Sequence, residues 1–227
     1  MKVGFAGMTL LGRAQSAAAR AYGFETTSDE EFDLFFITQD VEGPEDIGPL
    51  NDLIEGVNDS LSPEVPLVIN SQVPPGFTRT WMDKRKHLYY QVDTLITNCA
   101  LERALYPERI IVGTRGSLHP AYSEFLDAFS CSVLTMSYES AELAKLAINF
   151  YLASSITVAN TCAEIAERIG ADWNQIIPAL KSDKRIGQHA YLNPGVPGGH
   201  LTRDLLRIQV LAKNKDFINA ILNPKGQ

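Results

Sequence analysis

"KVGFAGMTLLGR", residues 2–13, is the stretch that decides the fold. An apolar run of strand character ends at Gly7. An alanine-rich helical pattern, "LLGRAQSAAARAYG" (10–23), follows and closes at Gly23, a residue that tolerates the left-handed conformation in which helices end. A strand, a glycine turn and a helix open a dinucleotide-binding unit. In such a unit one glycine makes the turn, a second lets backbone approach a pyrophosphate and a third packs helix against strand. Gly7 and Gly12 stand at the first and third positions, but Thr9 replaces the middle glycine. A hydroxyl there would bond a phosphate, although its side chain also fills space a cofactor would use. Gly7, Thr9, Leu10 and Gly12 are therefore the candidate cofactor contacts of this turn.

The pattern repeats downstream. "DLFFITQ" (33–39) and "PLVINSQ" (66–72) are continuous apolar runs, as in strands buried on both faces. "EDIGPLNDLIEGVNDSL" between them has helical spacing, with Gly48-Pro49 expected to delay its start. "TLITN" (94–98), "RIIVGT" (109–114) and "SVLTMS" (132–137) read as further strands. Such alternation predicts a Rossmann-like, mostly parallel sheet with helices on both faces. Asp29 and Glu30 fall where an acid would hold the adenine ribose, and a solvated turn explains them equally well. "TTSDEEFDLFF" runs straight into the next strand, with no room for a full helix and third strand, so the cofactor domain is abbreviated.

Past residue 137 the character turns helical. "SYESAELAKLAINFYLASSITVANTCAEIAERIG" is one long helical pattern ending at Gly170, with acids at its start and Arg168 near its end, as the helix dipole favours. Helices at about 172–182 and 202–213 follow. The expected organisation is an α/β domain at 1–137 and an all-helical domain at 138–227. The long helix is apolar almost all round, which predicts burial rather than a membrane span, since Lys145 and Asn149 interrupt it.

Charge excludes some partners. The 27 acidic residues outnumber 20 lysines and arginines, for a net charge of −7. That balance disfavours nucleic acid and membrane surfaces. Cys99, Cys131 and Cys162 are widely spaced, without CxxC pairs or zinc-type spacing, so no metal site is expected. They read as reduced thiols, and with an N-terminus that enters a strand directly they predict a cytoplasmic protein.

Two more places carry chemistry. Lys145 and Asn149, four apart, share a helix face within an apolar helix. A desolvated lysine beside an amide is an acid/base arrangement, against the plainer account of a lysine snorkelling to solvent. The loop "NPGVPGGHLTRD" (193–204) offers Gly195, Gly198 and Gly199, whose amides would face an anion. Lys184 and Arg185 stand before it, with His200 and Asp204 at its end. The intrinsic pKa of histidine suits a general base.

These residues bring a family into view. "ESAELAKLAINFYLASSITVANTCAEIAERIGADWNQIIPALKSDKRIG", followed by "YLNPGVPGGHLTRD", resembles the central region of the UDP-glucose/GDP-mannose 6-dehydrogenase family. "KVGFAGMTLLGR", "INSQVPPGFTR" and "ALYPERIIVGT" resemble segments of its NAD domain. The resemblance implies NAD as cofactor, a sugar-nucleotide alcohol as substrate and a homodimer through the 138–170 helix. It puts Lys145 and Asn149 at the catalytic lysine and asparagine, and Asp204 at a water-orienting aspartate. Tyr191, Leu192, Asn193 and Gly195 would lie where the substrate phosphates are cradled, and Gly198 and Arg185, singled out above for their amide and charge, complete the candidate substrate contacts.

Departures bear on the chemistry. The family loop reads approximately GGSCFPKD, its cysteine the nucleophile; "GGHLTRD" is one residue shorter, with His200 or Leu201 at that place. Gln72 stands at a threonine of the cofactor site, Ala100 at a functional glutamate, with Glu102 two residues on. The family's C-terminal nucleotide-binding domain has no counterpart. The expectation is an NAD-dependent oxidoreductase-like protein limited to one two-electron oxidation of a sugar nucleotide or small phosphorylated alcohol. Its rivals are a non-catalytic nucleotide-binding or scaffold protein, or one half of a split dehydrogenase.

Overall fold

The computed structural model describes residues 1–26, 31–94 and 97–223. The chain divides into two compact units, Met1–Lys145 and Leu146–Gln227. The first is an α/β unit. Its seven strands are β1 (Lys2–Ala6), β2 (Glu25–Thr26), β3 (Leu34–Ile37), β4 (Leu67–Ile69), β5 (Leu88–Gln91), β6 (Arg109–Gly113) and β7 (Ser132–Met136). They form one sheet in the order β2-β1-β3-β4-β5-β6-β7, parallel throughout except where β5 meets β6. The sheet is Rossmann-like and mostly parallel, followed by helices that include one of 32 residues.

Buried strands make this core. Every residue of β3 (LFFI) is buried, because helices cover both faces of a parallel sheet. Phe36 packs against Phe125 with ring centroids 5.0 Å apart and against Phe5 at 5.3 Å. Helix α1 (Leu10–Ala21) lays Ala14 and Ala18 against Ala100 and Ala104 of α3 (Ala100–Leu105), small side chains that let two helices approach closely. It ends as its sequence requires: Gly23 takes φ +85°, and the amides of Gly23 and Phe24 return to the carbonyls of Arg20 and Ala19.

The strand order reverses at β1, with β2 on one side and β3 on the other. A doubly wound sheet of order 3-2-1-4-5-6 carries one more strand outside the second. Here β2, two residues long, forms that edge among the described residues. Val3 pairs with both Thr26 and Leu34, so the chain enters β3 at the level where it leaves β2. No helical return is needed over so short a strand. Asp29 and Glu30 lie outside the described residues.

Two local readings are corrected. The strand expected at 94–98 is instead β5 at Leu88–Gln91, with Thr97–Cys99 in a 3-10 turn; Leu95 and Ile96 lie outside the described residues. The polar groups of Tyr89 and Gln91 are tolerable in this buried strand because they find partners. Tyr89 accepts from the His119 amide at 2.8 Å, and neighbouring Gln91 accepts from Tyr122 at 2.8 Å. Helix α2 (Ile47–Ser60) starts before Gly48-Pro49 rather than after it. A proline in the first turn gives up only an N–H that has no helical partner anyway. Helix α4 (Pro120–Asp127) carries Tyr122 and Phe125 onto the sheet.

Helix α5 (Tyr138–Ile169) passes from the first unit into the second, and Gly170 closes it at φ +74°. The second unit adds α6 (Trp173–Ser182), α7 (Gly199–Leu211) and α8 (Asp216–Leu222). Ala153, Leu205, Ile218 and Ile221 form its core. Helix α7 starts three residues before the pattern suggested, and α8 was not anticipated.

The expectation that α5 is buried all round is overturned. Leu146, Ala153, Ile156, Ala159 and Ala166 are buried, but Tyr151 is 75% exposed, Val158 59% and Ile169 73%. Within one chain the other helices cover only one face of α5, so the opposite stripe is left bare. By length and composition α5 would also cross a bilayer, with mean hydropathy 1.2 in its most apolar window. Its covered face, however, carries polar contacts to protein, described below.

Candidate functional site

At the carboxyl edge of the sheet the glycine turn takes the form its residues dictate. Gly7 has φ +76°, and a Cβ there would sit 2.6 Å from the Gln39 backbone nitrogen. A Cβ on Gly12 would meet Thr38 Oγ1 at 2.4 Å and the Gly7 carbonyl at 2.8 Å. These are the turn and packing roles of the first and third fingerprint glycines. Thr38 donates its hydroxyl to the Ala6 and Gly7 carbonyls, at 2.9 and 3.0 Å, and so pins the turn to β3. Thr9 donates its own hydroxyl to the Thr38 carbonyl at 2.9 Å. Its one hydroxyl proton is thereby committed to protein, and what faces a phosphate is the first turn of α1, whose amides lack helical partners. Leu10, first residue of that helix, is exposed.

The loop after β4 opens on the same edge and is polar and buried. Asn70 and Ser71 are fully buried, and Gln72 donates to Asp93 Oδ2 at 2.6 Å. Asn70 Oδ1, Ser71 Oγ and Gln72 Oε1 have no hydrogen-bond partner in the protein. Buried polar atoms without partners are costly unless something else satisfies them. A dinucleotide fits these features: a glycine cradle and helix N-terminus for the pyrophosphate, and unsatisfied polar atoms farther along the edge for its other half.

Glu142 braces this loop. It is fully buried on α5 and accepts from the Gly76 amide at 2.5 Å and the Thr78 amide at 2.8 Å. Burial pushes its carboxyl above the usual range, against the pull of those two amides. One turn earlier, half-buried Glu139 meets Arg79, whose Nη2 donates to Oε2 at 2.8 Å. The Arg79 hydrogen bond holds the Glu139 carboxyl down at about 2. A folded pKa below the unfolded one contributes stability above the unfolded value, and that contribution is lost as pH falls toward 2. In Arg79→Ala the Glu139 carboxyl is expected to titrate higher than in the wild type, while its backbone hydrogen bond still pulls it down, as followed by carboxyl NMR. The global stability change should be small, since both side chains are partly exposed. Lys145, half-buried, follows Glu142 by three residues on the same helix. Ala100 is buried at the start of α3, and Glu102 is exposed.

The second unit gathers most of the other candidates. Asn149 donates to Asp204 Oδ2 at 2.6 Å. Asp204 is fully buried, and its Oδ1 faces Arg203 Nε at 3.3 Å and Arg207 Nη1 at 3.6 Å. Both carboxylate oxygens are thus engaged with protein, which makes Asp204 an anchor for Asn149. His200, second residue of α7, is exposed, and Gly198 caps that helix. Gly195 is held by Asn160 and Leu192 by Trp173, whose Nε1 donates to its carbonyl at 3.0 Å.

A cavity of about 290 Å³ is lined by Ile156, Lys181, Ala190, Tyr191, Leu192 and Asn193. That size is near the lower end, about 300 Å³, of small-molecule pockets. Lys181 lines it, whereas Arg185 is exposed and held by Asp183 through Nη2 at 2.6 Å; Lys184 is exposed too. Sequence reasoning missed Lys181, Glu142 and Asn160. Only Asn160 left a signal, lying eleven residues, or three turns, beyond Asn149 on one helix face. Among the described residues no cluster of metal-ligating side chains occurs.

The chain is thus a mostly parallel sheet reversing over a glycine turn, followed by one long helix and further helices with a glycine-rich loop between them. Residues 139–224 match the model of the UDP-glucose/GDP-mannose dehydrogenase family, central domain. The chain is homologous to that NAD-dependent, UDP-sugar 6-dehydrogenase family at low identity and over part of its length. It is 30% identical over 193 residues to the UDP-glucose 6-dehydrogenase of Rickettsia bellii (strain RML369-C), covering 79% of this chain and 44% of the relative. It is 28% identical over 205 residues to that of Campylobacter jejuni, covering 87% and 49%. The chain thus spans a little under half the length of these relatives. Among solved structures, a UDP-glucose dehydrogenase from Pyrobaculum islandicum superposes with TM-score 0.78 at 22% identity, covering 98% of this chain and 67% of that one. A UDP-D-ManNAc dehydrogenase from Pyrococcus horikoshii gives 0.79 at 17%, covering 98% and 68%. These structural likenesses speak for the fold.

Proposed function

We propose that this chain is an NAD-dependent oxidoreductase that oxidises the CH–OH group of a sugar nucleotide, or of a smaller phosphorylated alcohol, by a single two-electron step. The observation that carries the reading is the Asn149–Asp204 hydrogen bond, with Lys145 one turn away on α5, inside the segment that matches the family's central domain. Lys145 and Asn149 polarise the alcohol oxygen. Asp204 holds the Asn149 amide in place, since its oxygens are already engaged, and His200 accepts the hydroxyl proton. NAD, where bound, would supply the hydride acceptor for this oxidation, so that the alcohol leaves as an aldehyde or ketone. Gly7, Gly12 and the first turn of α1 would hold its pyrophosphate, with Gln72 toward its other end.

The reaction stops there for want of a thiol. A further oxidation of the aldehyde would need a thiolate to trap it as a hemithioacetal, and the loop 193–204 carries no cysteine. The substrate phosphates lie against Tyr191, Leu192, Asn193 and Lys181, the lining of the second unit's cavity. The bare stripe of α5, with Leu143, Tyr151, Val158, Ile165 and Ile169 exposed, pairs with the same stripe of a second copy. The enzyme is cytoplasmic in this reading.

The test is NADH formation with a panel of UDP- and GDP-sugars, with the product identified. One NADH per sugar and a carbonyl product is the expected result; two NADH and a carboxylate would overturn the single-step reading. A second reading, a non-catalytic binding protein, is favoured by the committed hydroxyl of Thr9 and the two-residue β2. Calorimetric titration separates the two, because absence of NAD(H) binding at millimolar cofactor leaves only the second.

A further inference from the structure

We propose that Asn160 is a positioning residue that preorganises the loop over the cavity of the second unit. The proposal rests on the reading that this cavity receives the phosphates of a sugar nucleotide. The Asn160 amide closes two hydrogen bonds on a single residue. Its Nδ2 donates to the Gly195 carbonyl at 2.7 Å, and its Oδ1 accepts from the Gly195 amide at 2.7 Å. A side chain that satisfies both backbone groups of one residue acts as a single rung of a sheet ladder, in a loop that has no strand beside it.

The loop needs such a device. In "NPGVPGG" two prolines remove backbone donors, and a Cβ added at Gly195 would meet nothing within 4 Å, so packing does not fix that residue. Fixation comes from three points on three helices. Trp173 Nε1 donates to the Leu192 carbonyl at 3.0 Å, Asn160 grips Gly195, and the Thr202 hydroxyl donates to the Pro197 carbonyl at 3.3 Å. Of the three, only Asn160 binds with both a donor and an acceptor.

Helix α5 supplies the alignment. Asn149 and Asn160 are separated by three turns, about 16 Å along the axis, and so project from one face. Ile156, one turn before Asn160, lines the cavity on that face. The helix therefore holds α7 through Asp204 at one point and the loop through Gly195 at another. The cavity wall of Tyr191, Leu192 and Asn193 lies just before the second grip. Releasing that grip lets the wall sample many conformations, and apparent affinity falls by the fraction that remains competent.

The test uses the 227-residue chain as wild type, Asn160→Ala and Asn160→Asp, with UDP-glucose as probe. Alanine is the better helix former, so α5 is retained and the melting temperature should hold. For Asn160→Ala, calorimetry is expected to give about tenfold or greater loss of affinity, the scale of two hydrogen bonds. Amide exchange across 192–198 should accelerate in the free protein and return to the wild-type rate at saturating UDP-glucose. A merely structural role would not produce that return. Asn160→Asp keeps the acceptor for the Gly195 amide but sets a carboxylate against its carbonyl, and should bind more weakly than wild type. Equal affinity and equal loop protection in wild type and Asn160→Ala would overturn the proposal. A wild type that binds no UDP-glucose overturns the ligand reading instead, and the exchange comparison still decides whether Asn160 holds the loop.

Discussion

Replacing Asp204 with alanine is expected to lower the stability of the helical unit by about 3–5 kcal/mol, the cost of removing one member of a buried ionic cluster. Asp204 is fully buried, with Arg203 only 11% and Arg207 16% exposed at the side chain. Truncation takes from two guanidiniums the anion they share and from Asn149 its acceptor at 2.6 Å. It also leaves a void beside Leu205, a core residue of the same unit. The thermal midpoint should fall by on the order of 10 °C, following about 2–4 °C per kcal/mol for a chain of this size. Asp204→Asn keeps the acceptor and loses the charge, so it should fall between wild type and alanine. Combining Asp204→Ala with Arg207→Met should recover part of the loss, because one unmatched cation is then gone. A midpoint unchanged in Asp204→Ala would show that the cluster does not hold α7 to α5.

Lys145→Ala is expected to act on turnover rather than stability. Positioned acid/base groups contribute about 10²- to 10⁴-fold, and NADH formation from the preferred sugar nucleotide should drop by that order. Lys145 is half-buried on α5, and Glu142, three residues before it, fixes that part of the helix to the Gly76–Thr78 loop at the sheet's carboxyl edge. Alanine suits a helix better than lysine or nearly as well, so the melting temperature should scarcely move. Cofactor affinity should be retained as well, which separates this variant from changes at Gly7 or Gly12. Turnover unaffected in Lys145→Ala would remove the lysine from the mechanism, and another group would have to polarise the alcohol oxygen.

What could be read from the sequence follows a physical division. Elements set by their own residues were legible. The strand–glycine–helix opening is local, because Gly7 must adopt φ +76° and Gly12 must admit Thr38. The end of α5 at Gly170 is local too, a left-handed residue closing a helix. That β2 is the edge strand among the described residues could be read from the short stretch between Thr26 and Leu34. Strand β5 could not be placed, because "LYYQ" is acceptable in a core only once Tyr89 and Gln91 meet partners from beyond residue 116.

The candidate site divides the same way. The sequence by itself determined which residue types were present: a lysine and an asparagine one turn apart, and a loop of glycines and prolines without a cysteine. It also determined that a long apolar helix would carry them. Tertiary structure alone decided how those groups are used. It spent the Thr9 hydroxyl on the Thr38 carbonyl and tied Asp204 to Asn149 across 55 residues. It joined Asn160 to Gly195 across 35, set Lys181 rather than Arg185 at the cavity, and left one stripe of α5 bare. The reason is one of range: backbone sterics and helix periodicity act within a few residues and are written in local order. A hydrogen bond between distant side chains exists only after packing has brought its donor and acceptor together.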